Sequence, residues 1–256
     1  RQMCIRDSNT ETGWGRAGES WNFIETLGAL GGEAWFRLGD KDLALHTART
    51  QMLKSGATLS QATAAITQSM GIEHTVAPMS DSPVRTIVHS DQGDLAFQHY
   101  FVREGCGPKV SGFSFDGIAN AELNPLIREW LADCDGVIIC PSNPFVSVDP
   151  MLHLDGFGEA LKSLPVIAVS PIVGGIAIKG PAAKMMQELN MPATALAVAD
   201  HYQGLIDGFV VDQTDAALVE QFNVPTISTP SVMVTLQDRI DLARTCVSFL
   251  ASLSSN

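Results

Sequence analysis

Gly136-Val-Ile-Ile-Cys-Pro-Ser-Asn-Pro-Phe145 is a short apolar run that ends in a polar turn. Val166-Ile-Ala-Val-Ser-Pro-Ile-Val-Gly-Gly175 repeats the pattern a little further along the chain. Nearly continuous apolar runs of this length are typical of strands buried in a parallel sheet. Because open α/β sheets bind ligands at the carboxyl ends of their strands, we expect both turns to face one ligand. The pattern is typical of enzymes that handle nucleotides.

The carboxyl-terminal half alternates predicted strands with predicted helices. The strands are expected over residues 136–140, 166–170, 195–199, 208–211 and 226–228, and the helices over residues 154–162, 181–189, 201–206, 215–222 and 236–253. Such alternation favours an α/β fold in which helices cover both faces of a parallel sheet. We therefore predict a Rossmann-like part over residues 124–256, whose first helix begins at Asn124-Pro125.

The amino-terminal half has a different periodicity. Helical spacing predicts helices over residues 19–30 and 43–54, and a third that begins at the capping pair Thr58 and Gln61. Residues 85–90 and 95–102 are rich in β-forming side chains and flank a turn, which predicts a hairpin. Residues 9–123 are thus expected to form a helical and hairpin insertion within one domain spanning 9–256. Residues 1–8 lead into no recognisable element and are expected to be non-native or disordered.

Composition excludes several classes of function. The net charge of −12 opposes binding to nucleic acid or to an anionic membrane surface. No apolar stretch approaches the roughly 18–20 residues that span a bilayer. The five cysteines are an odd number, widely scattered and without a C-x-x-C pair, which favours a reduced, cytoplasmic protein. A homodimer is the default assembly on symmetry grounds.

Two strand exits carry candidate phosphate-binding residues. Ser142 and Asn143 offer a hydroxyl, a carboxamide and backbone amides, although Pro-Ser-Asn-Pro is also ordinary turn composition. In the second exit, the paired glycines Gly174 and Gly175 allow the backbone to approach an anion closely. Ser170 precedes them at the end of the strand.

A helix start follows this glycine pair. Lys179-Gly-Pro181 opens the helix, and an amino-terminal helix end attracts negative charge. Lys184 would lie one turn inside it. A flexible approach to a helix is the structural alternative, and we favour phosphate contact.

A second polar group precedes the predicted helix over 43–54. Asp40 and Asp42 could hold Mg²⁺ directly or through water, and Lys41 could meet a phosphate. A solvated helix start capped by Asp42 is the simpler account. Asp81 lies in the polar run Met79–Arg85, which is either a site loop or a plain connection.

Side-chain nucleophilic catalysis has no support in the sequence. There is no G-x-S-x-G elbow, no H-E-x-x-H pair and no G-x-x-x-x-G-K-[ST] loop. The six histidines lie in separate predicted elements without metal-ligand spacing.

Several runs, taken in order, strongly resemble the 2-phospho-L-lactate transferase family. They are Gly13-Trp-Gly15, Trp35-Phe-Arg-Leu-Gly-Asp-Lys-Asp42 with His46, Pro78-Met-Ser-Asp-Ser-Pro-Val84, Cys140-Pro-Ser-Asn-Pro-Phe145, Val169-Ser-Pro-Ile-Val-Gly-Gly175 and Lys179-Gly-Pro-Ala-Ala-Lys-Met-Met186. The resemblance extends from about Asn9 to near the carboxyl terminus. Their combination is far more specific than any single run.

The resemblance implies a function in coenzyme F(420) biosynthesis. The family transfers a 2-phospholactyl group, or an enolpyruvyl phosphate, from a guanosine diphosphate-linked donor to the terminal hydroxyl of the deazariboflavin Fo. GMP is released and Mg²⁺ assists. By this resemblance, Ser142-Asn143-Pro144 and the loop from Ser170 to Gly175 would hold the guanosine diphosphate part. Asp40 and Lys41 would lie near Fo and the diphosphate.

Two departures from the family pattern accompany the resemblance. The family's first strand, glycine loop and acidic segment have no counterpart here, so the main metal ligand is expected outside this chain. Lys41 stands where the family often has Arg, and Lys cannot make the same bidentate contact. The alternatives are an inactive truncated transferase and a non-catalytic protein that binds a nucleotide-linked metabolite. The sequence does not distinguish a lactyl from an enolpyruvyl donor.

Overall fold

The computed structural model of the chain describes residues 15–178 and 180–253. The α-helices of this part are α1 (Asn22–Ala29), α2 (Asp40–Lys54), α3 (Leu59–Ser69), α4 (Pro125–Asp133), α5 (Asp149–Leu152), α6 (Phe157–Leu161), α7 (Ala182–Glu188), α8 (Ala195–His201) and α9 (Leu236–Leu253). The strands are β1 (Arg85–Ser90), β2 (Gly93–Ala96), β3 (Val110–Asp116), β4 (Val137–Ile139), β5 (Val166–Val169), β6 (Ile172–Val173), β7 (Ile176–Ala177), β8 (Gly208–Asp212) and β9 (Thr226–Thr229).

A parallel sheet of order β4-β5-β8-β9 forms the centre of the carboxyl-terminal half. Side chains alternate across it, so that Val166 and Ala168 of β5 face one apolar cluster while Ile167 and Val169 face another. The second cluster is closed by α9 through Leu242 and Cys246, and the first by helices that include α6, α7 and α8. The predicted α/β fold with helices on both faces is confirmed.

An antiparallel sheet of order β2-β1-β3 packs beside the parallel one. Its buried residues Val88 and Val110 belong to the same apolar cluster as Val166 and Phe209 of the parallel sheet. A further two-stranded hairpin, β6-β7, follows β5 directly. The hairpin insertion and the Rossmann-like part therefore share one core.

Helix starts are where the sequence is most informative. The Thr58 hydroxyl accepts from Gln61 N–H while the Gln61 side chain accepts from Thr58 N–H, which is the predicted capping box of α3. Asn124 caps α4 through Leu126 N–H, and Pro125 is its first residue. Helix α2 begins at Asp40, three residues before the predicted start.

The predicted strand over residues 95–102 is wrong beyond Ala96. There β2 ends, and His99–Arg103 forms a π-helical segment that buries Tyr100 completely. Phe97 and Phe101 stack at a ring-centroid distance of 5.5 Å, as aromatic side chains four residues apart do on a helical turn. The third strand of this sheet, β3, was not predicted, although Val-Ser-Gly-Phe-Ser-Phe alternates apolar and polar residues.

Two predictions around residue 200 are also wrong. Residues 195–199 form the start of α8 rather than a strand, because the Thr194 hydroxyl caps them through Ala197 N–H and alanine is the best helix former. The helix predicted over 201–206 is a turn, with Gly204 at φ +77°. The sheet consequently has one strand fewer than the alternation suggested.

The prediction for residues 1–8 lies outside the described residues. The predicted boundary between residues 123 and 124 stays a prediction. Within 15–178 and 180–253, no helix is both long and apolar enough to cross a bilayer.

Candidate functional site

The loops after β4, β5, β8 and β9 all leave the same edge of the parallel sheet. These are residues 140–143, 170–175, 212–215 and 229–231, and we call them the strand-exit loops. In an open α/β sheet this edge is where ligands bind. The structure thus brings the two sequence-predicted turns onto one edge and adds two more.

The paired glycines form the tight turn between β6 and β7. Val173 pairs with Ile176, leaving Gly174 and Gly175 as a two-residue loop with φ of +56° and +81°. Positive φ at both positions is the geometry of a type I′ turn, which glycine adopts without steric cost. A Cβ at Gly174 would also lie 3.3 Å from the methyl carbon of Thr214.

Asp215 holds this turn from the neighbouring strand exit. Its Oδ2 accepts a 3.0 Å hydrogen bond from Gly174 N–H, and the residue is 9% exposed. Asp215 belongs to the 3₁₀-helical segment Gln213–Gln221 that follows β8. The Gly174 amide is therefore directed at a protein carboxylate.

Asp212 joins the exits of β8 and β9. Its Oδ1 accepts from the backbone N–H and the hydroxyl of Thr214, at 2.9 and 2.7 Å. Its Oδ2 accepts from the N–H and hydroxyl of Ser231, at 2.8 and 3.1 Å. Burial by itself would raise the pKa of Asp212, but these four hydrogen bonds together hold that pKa below its ordinary value.

Asn143 connects the exit of β4 to helix α7. Its Oδ1 accepts from Phe145 N–H at 3.0 Å, and its Nδ2 donates to Met185 Sδ at 3.1 Å. Pro144 is buried at the start of the π-helical segment Pro144–Val148, and Ser142 is half-buried beside it. The carboxamide that the sequence predicted as a ligand group thus also fixes the loop.

Ser170 has a similar role at the exit of β5. Its hydroxyl accepts from Ile172 N–H at 3.1 Å and donates to Ile172 O at 2.8 Å, and the residue is 2% exposed. These two hydrogen bonds fix the backbone that leads from β5 into the glycine turn. A direct contact of Ser170 with a ligand stays a prediction.

A hydrogen-bonded histidine–aspartate pair lies behind the β4 exit loop. His201 Nε2 is 2.8 Å from Asp149 Oδ1, and the imidazole ring meets Phe145 edge-on at 5.2 Å. Burial, followed by the charge of Asp149, raises the pKa of the neighbouring Tyr202 hydroxyl. This pair fixes the end of α8 against the segment that follows Asn143.

Lys184 is engaged away from the glycine turn. Its Nζ donates to Pro108 O at 2.9 Å and lies 2.6 Å from Glu188 Oε1, while Glu188 Oε2 accepts from Val110 N–H. These contacts dock α7 on the antiparallel sheet. Lys179, the other predicted phosphate-binding lysine, lies outside the described residues.

The polar group at residues 40–42 forms a reciprocal cap between two helices. Asp40 accepts from the Ser20 hydroxyl and from Phe23 N–H at the start of α1, at 2.7 and 3.2 Å. Glu19 in turn accepts from the backbone amides of Lys41 and Asp42 at the start of α2, at 2.8 and 3.1 Å. The predicted cap by Asp42 is wrong, because the N-cap position is Gly39.

Side chains at the same helix start reach back to the chain before α1. Lys41 Nζ donates to Ala17 O at 2.8 Å, and Asp42 Oδ2 accepts from Arg16 N–H at 3.4 Å. A shallow groove of about 500 Å³ opens beside Asp40 between α1 and α2. It is lined by Phe23, Asp40, Leu43, Ala44, Thr47, Ala48 and Gln51.

Asp81 lies in a different contact network. Its Oδ1 accepts from Ser60 N–H in the first turn of α3 at 2.6 Å. Asn124 Nδ2 donates to the Ser60 hydroxyl and to Pro78 O, which links α3 to the start of α4. These contacts give Asp81 a structural role, which agrees with the interpretation of Met79–Arg85 as a plain connection.

A metal site with three or more side-chain ligands is absent from the described residues. In the ranges 15–178 and 180–253, no three His, Cys, Asp or Glu side chains gather where they could hold a metal ion. Both oxygens of Asp40, the predicted ligand, accept hydrogen bonds at the start of α1. Hydrogen bonding by Ser20 lowers the pKa of Asp40, so capping accounts for its charge.

Sequence reasoning missed Asp212, Asp215, Ser231 and Glu19. For Asp212 a signal was present, because Gly208-Phe-Val-Val-Asp212 is an apolar strand that ends in a polar residue, as at Ser170. Glu19 carries no local signal, since the amides it caps lie more than twenty residues away.

Comparison with known proteins decides the family. The family model described as "2-phospho-L-lactate transferase CofD" matches residues 20–237. This chain belongs to the 2-phospho-L-lactate transferase family. The family resemblance inferred from the sequence motifs is thereby confirmed.

Relatives in this family carry two different names. The 2-phospho-L-lactate transferase of Methanosarcina acetivorans is 37% identical over 204 residues, which are 80% of this chain and 66% of that protein. The phosphoenolpyruvate transferase of Kitasatospora aureofaciens is 37% identical over 248 residues, which are 93% of this chain and 77% of that protein. The chain thus spans about two thirds to three quarters of these relatives.

The fold also resembles a solved structure outside these relatives. A Bacillus halodurans protein of the upf0052 family superposes with a TM-score of 0.53 at 15% identity. The match covers 77% of this chain and 69% of that one. At this identity the likeness shows the fold of this chain and nothing about its activity.

Proposed function

We propose that this chain transfers a 2-phospholactyl or enolpyruvyl phosphate group to Fo in coenzyme F(420) biosynthesis. The donor is a guanosine diphosphate-linked three-carbon acid, and GMP is the second product. The observation that carries the proposal is the family match over residues 20–237. It is supported by the strand-exit loops, which gather turn amides, hydroxyls and a carboxamide at the edge where α/β sheets bind nucleotides.

In this reaction a hydroxyl oxygen of Fo attacks phosphorus. The new O–P bond replaces the bond to the GMP oxygen, and the hydroxyl loses its proton. Because no covalent enzyme intermediate is required, rate enhancement rests on positioning and on stabilising charge at the phosphoryl oxygens. The loops around Asn143, Gly174 and Asp212 suit the positioning part of that task, because hydrogen bonds within the protein fix their conformation before the substrate arrives.

The groove beside Asp40 is our candidate for the acceptor. Its volume of about 500 Å³ is within the range of small-molecule sites, and its lining combines Phe23 and Leu43 with the hydroxyl of Thr47. A flat ring system with a polyol chain matches an apolar groove that has polar groups at its rim. Asp40 would then contact the acceptor through hydroxyl groups.

Magnesium remains a proposal without a site among the described residues. Mg²⁺ usually binds one or two carboxylates together with substrate phosphates, so the donor itself would supply ligands. When bound, the ion would offset negative charge on the diphosphate. Activity that is lost on chelation and restored by Mg²⁺ supports the requirement.

Turnover tests the proposed function. The full chain is incubated with Fo, Mg²⁺ and either donor, and GMP and the phosphodiester product are measured by mass spectrometry. Phe23→Ala, in the acceptor groove, is expected to raise the KM for Fo about 10-fold while the KM for the donor changes less than twofold. The matched control is Leu30→Ala, at a side chain that is 82% exposed.

Three results would argue against the proposal in different ways. No product with either donor, in a chain that melts cooperatively, contradicts the transfer activity. Donor binding without product indicates a non-catalytic binding protein. If product forms and Phe23→Ala leaves the KM for Fo unchanged, the groove is excluded as the acceptor site while the transfer activity is supported.

A further inference from the structure

We propose that Asp215 is a positioning residue that sets the conformation of the Gly174-Gly175 turn for binding the donor. The inference rests on the proposed function, because it assigns how that site holds the nucleotide-linked substrate. Asp215 does not need to touch the donor. It acts through the amide of Gly174, with which its carboxylate makes a 3.0 Å hydrogen bond across 41 positions of the chain.

The hydrogen bond between Asp215 and Gly174 strongly influences the conformation of the turn. Gly174 and Gly175 both have positive φ, and the hairpin strands on either side are only two residues long. Burial of Ile172 and Val173 in the core holds the strand before the turn, whereas Gly174 and Gly175 at its tip are exposed. The charge-assisted hydrogen bond from the nearly buried Asp215 carboxylate is therefore the contact that fixes the exposed tip.

Asp215 is itself held within a connected set of strand-exit loops. Thr214, its neighbour, donates two hydrogen bonds to Asp212, and Asp212 accepts two more from Ser231. The Thr214 methyl also lies against the face of Gly174. The glycine turn is thus connected to the ends of β8 and β9 through Asp215, Thr214 and Asp212.

The arrangement also restricts how the turn can recognise the donor. Because Gly174 N–H is directed at Asp215, the amide of Gly175 is the turn amide left to face an anion. The hydrogen bond from Gly174 N–H offsets part of the negative charge of Asp215, and the proposed role requires no contact between Asp215 and the donor phosphates. Asp215 therefore orients the turn without competing for the substrate.

The test uses Asp215→Ala and Asp215→Asn in the full chain. Asp215→Ala removes the acceptor, and we expect the KM for the donor to rise on the order of 10- to 100-fold while kcat and the KM for Fo change less than threefold. Asp215→Asn keeps a carbonyl oxygen in place and is expected to recover most of the donor KM. Asp241→Asn, on the exposed side of α9, is the matched control and should equal the unsubstituted chain.

Hydrogen exchange separates this inference from the proposed function. If the unsubstituted chain makes no product, the proposed function fails, and the inference is judged by exchange at Gly174 and Gly175. Faster exchange there in Asp215→Ala, with the rest of the chain unchanged, supports the positioning role. The inference is overturned if exchange at the turn is unchanged. It is also overturned if active Asp215→Ala keeps the donor KM of the unsubstituted chain, or if Asp215→Asn recovers nothing.

Discussion

Glu19 and Gly39 form a contact that leaves no room for a larger residue. A Cβ at Gly39 would overlap the Glu19 side chain, which at that place accepts the amides of Lys41 and Asp42. Gly39 has φ of −68°, a value open to any residue, so the constraint is this close approach alone. The cap of α2 thus depends on a glycine outside the helix.

Gly39→Ala tests this contact. We expect a loss of about 1 kcal/mol in the free energy of unfolding, because the substitution displaces the Glu19 cap. In a Glu19→Ala background the same substitution should cost less than about 0.3 kcal/mol, since the obstructing side chain is gone. Urea denaturation of the four variants measures both costs. Equal costs in the two backgrounds would show that Gly39 is needed for another reason.

Asp212 predicts a specific dependence of stability on pH. Its pKa is lowered in the folded protein relative to the ordinary value of 3.8, so the folded state binds its proton more weakly than the unfolded state. Its stabilising contribution is therefore present above about pH 4 and is lost as pH falls through the folded value. The pH range over which this contribution is lost is therefore acidic.

Asp212→Ala should show this in its unfolding free energies. The difference from the unsubstituted chain is expected to be constant between about pH 7 and 5 and to shrink below about pH 4. Denaturant titrations at a series of pH values provide the measurement, with Asp241→Ala as the exposed control. A difference that stays constant down to about pH 2 would show that the carboxylate charge contributes nothing.

For individual residues, the sequence predicted which polar side chains lie at strand ends better than it predicted their tertiary hydrogen-bond partners. Ser170 and Asn143 were predicted at strand exits and are found there, because burial and strand periodicity fix where a strand ends. The hydrogen bond from Asn143 to Met185 was not predictable, since Met185 comes from helix α7, 42 positions further along the chain. Tertiary contacts of this kind leave no local pattern.

Helix α7 docks on the antiparallel sheet through Lys184 and Glu188, which also form an ion pair within the helix. Lys184 and Glu188 lie four residues apart on the helix, and each also bonds the backbone near the start of β3, at Pro108 and Val110. Lys184 additionally lies over the ring of Tyr100 at 5.8 Å. The pair therefore joins the insertion to the Rossmann-like part.

Lys184→Met separates docking from phosphate binding. It keeps the apolar stem and removes the charge, and we expect a loss of about 1 kcal/mol in stability, because Lys184 is partly exposed to solvent. The KM for the donor should change less than threefold. Lys162→Met, which breaks an exposed pair with Glu159, is the matched control. A rise of more than 10-fold in donor KM without loss of stability would show that Lys184 binds phosphate.

Elements were predictable where capping and periodicity agree. Thr58 with Gln61 and Asn124 with Pro125 marked helix starts correctly, because those signals are local. The segment after Ala96 was mistaken for a strand, since its aromatic residues favour strands and the burial of Tyr100 in a π-helical turn comes from tertiary packing. The short apolar run of α8 was ambiguous for the same reason.

The negative charge of the whole molecule predicts how the donor associates. At a net charge of −12 the protein repels an anionic donor at long range. We expect kcat/KM for the donor to rise about two- to fivefold between 10 and 150 mM NaCl, because salt screens this repulsion. Initial-rate kinetics at several salt concentrations test it. A steep fall with salt would instead indicate that a local basic surface attracts the donor.

We propose the strand-exit loops at one edge of the parallel sheet as the nucleotide-binding site. Amide hydrogen exchange of the full chain with and without GDP tests this most directly. We expect slower exchange in residues 140–144, 170–175 and 212–215 when GDP is added. Slower exchange confined to the surface cavity of about 400 Å³ beside α6, or no change anywhere in a folded chain, would contradict it.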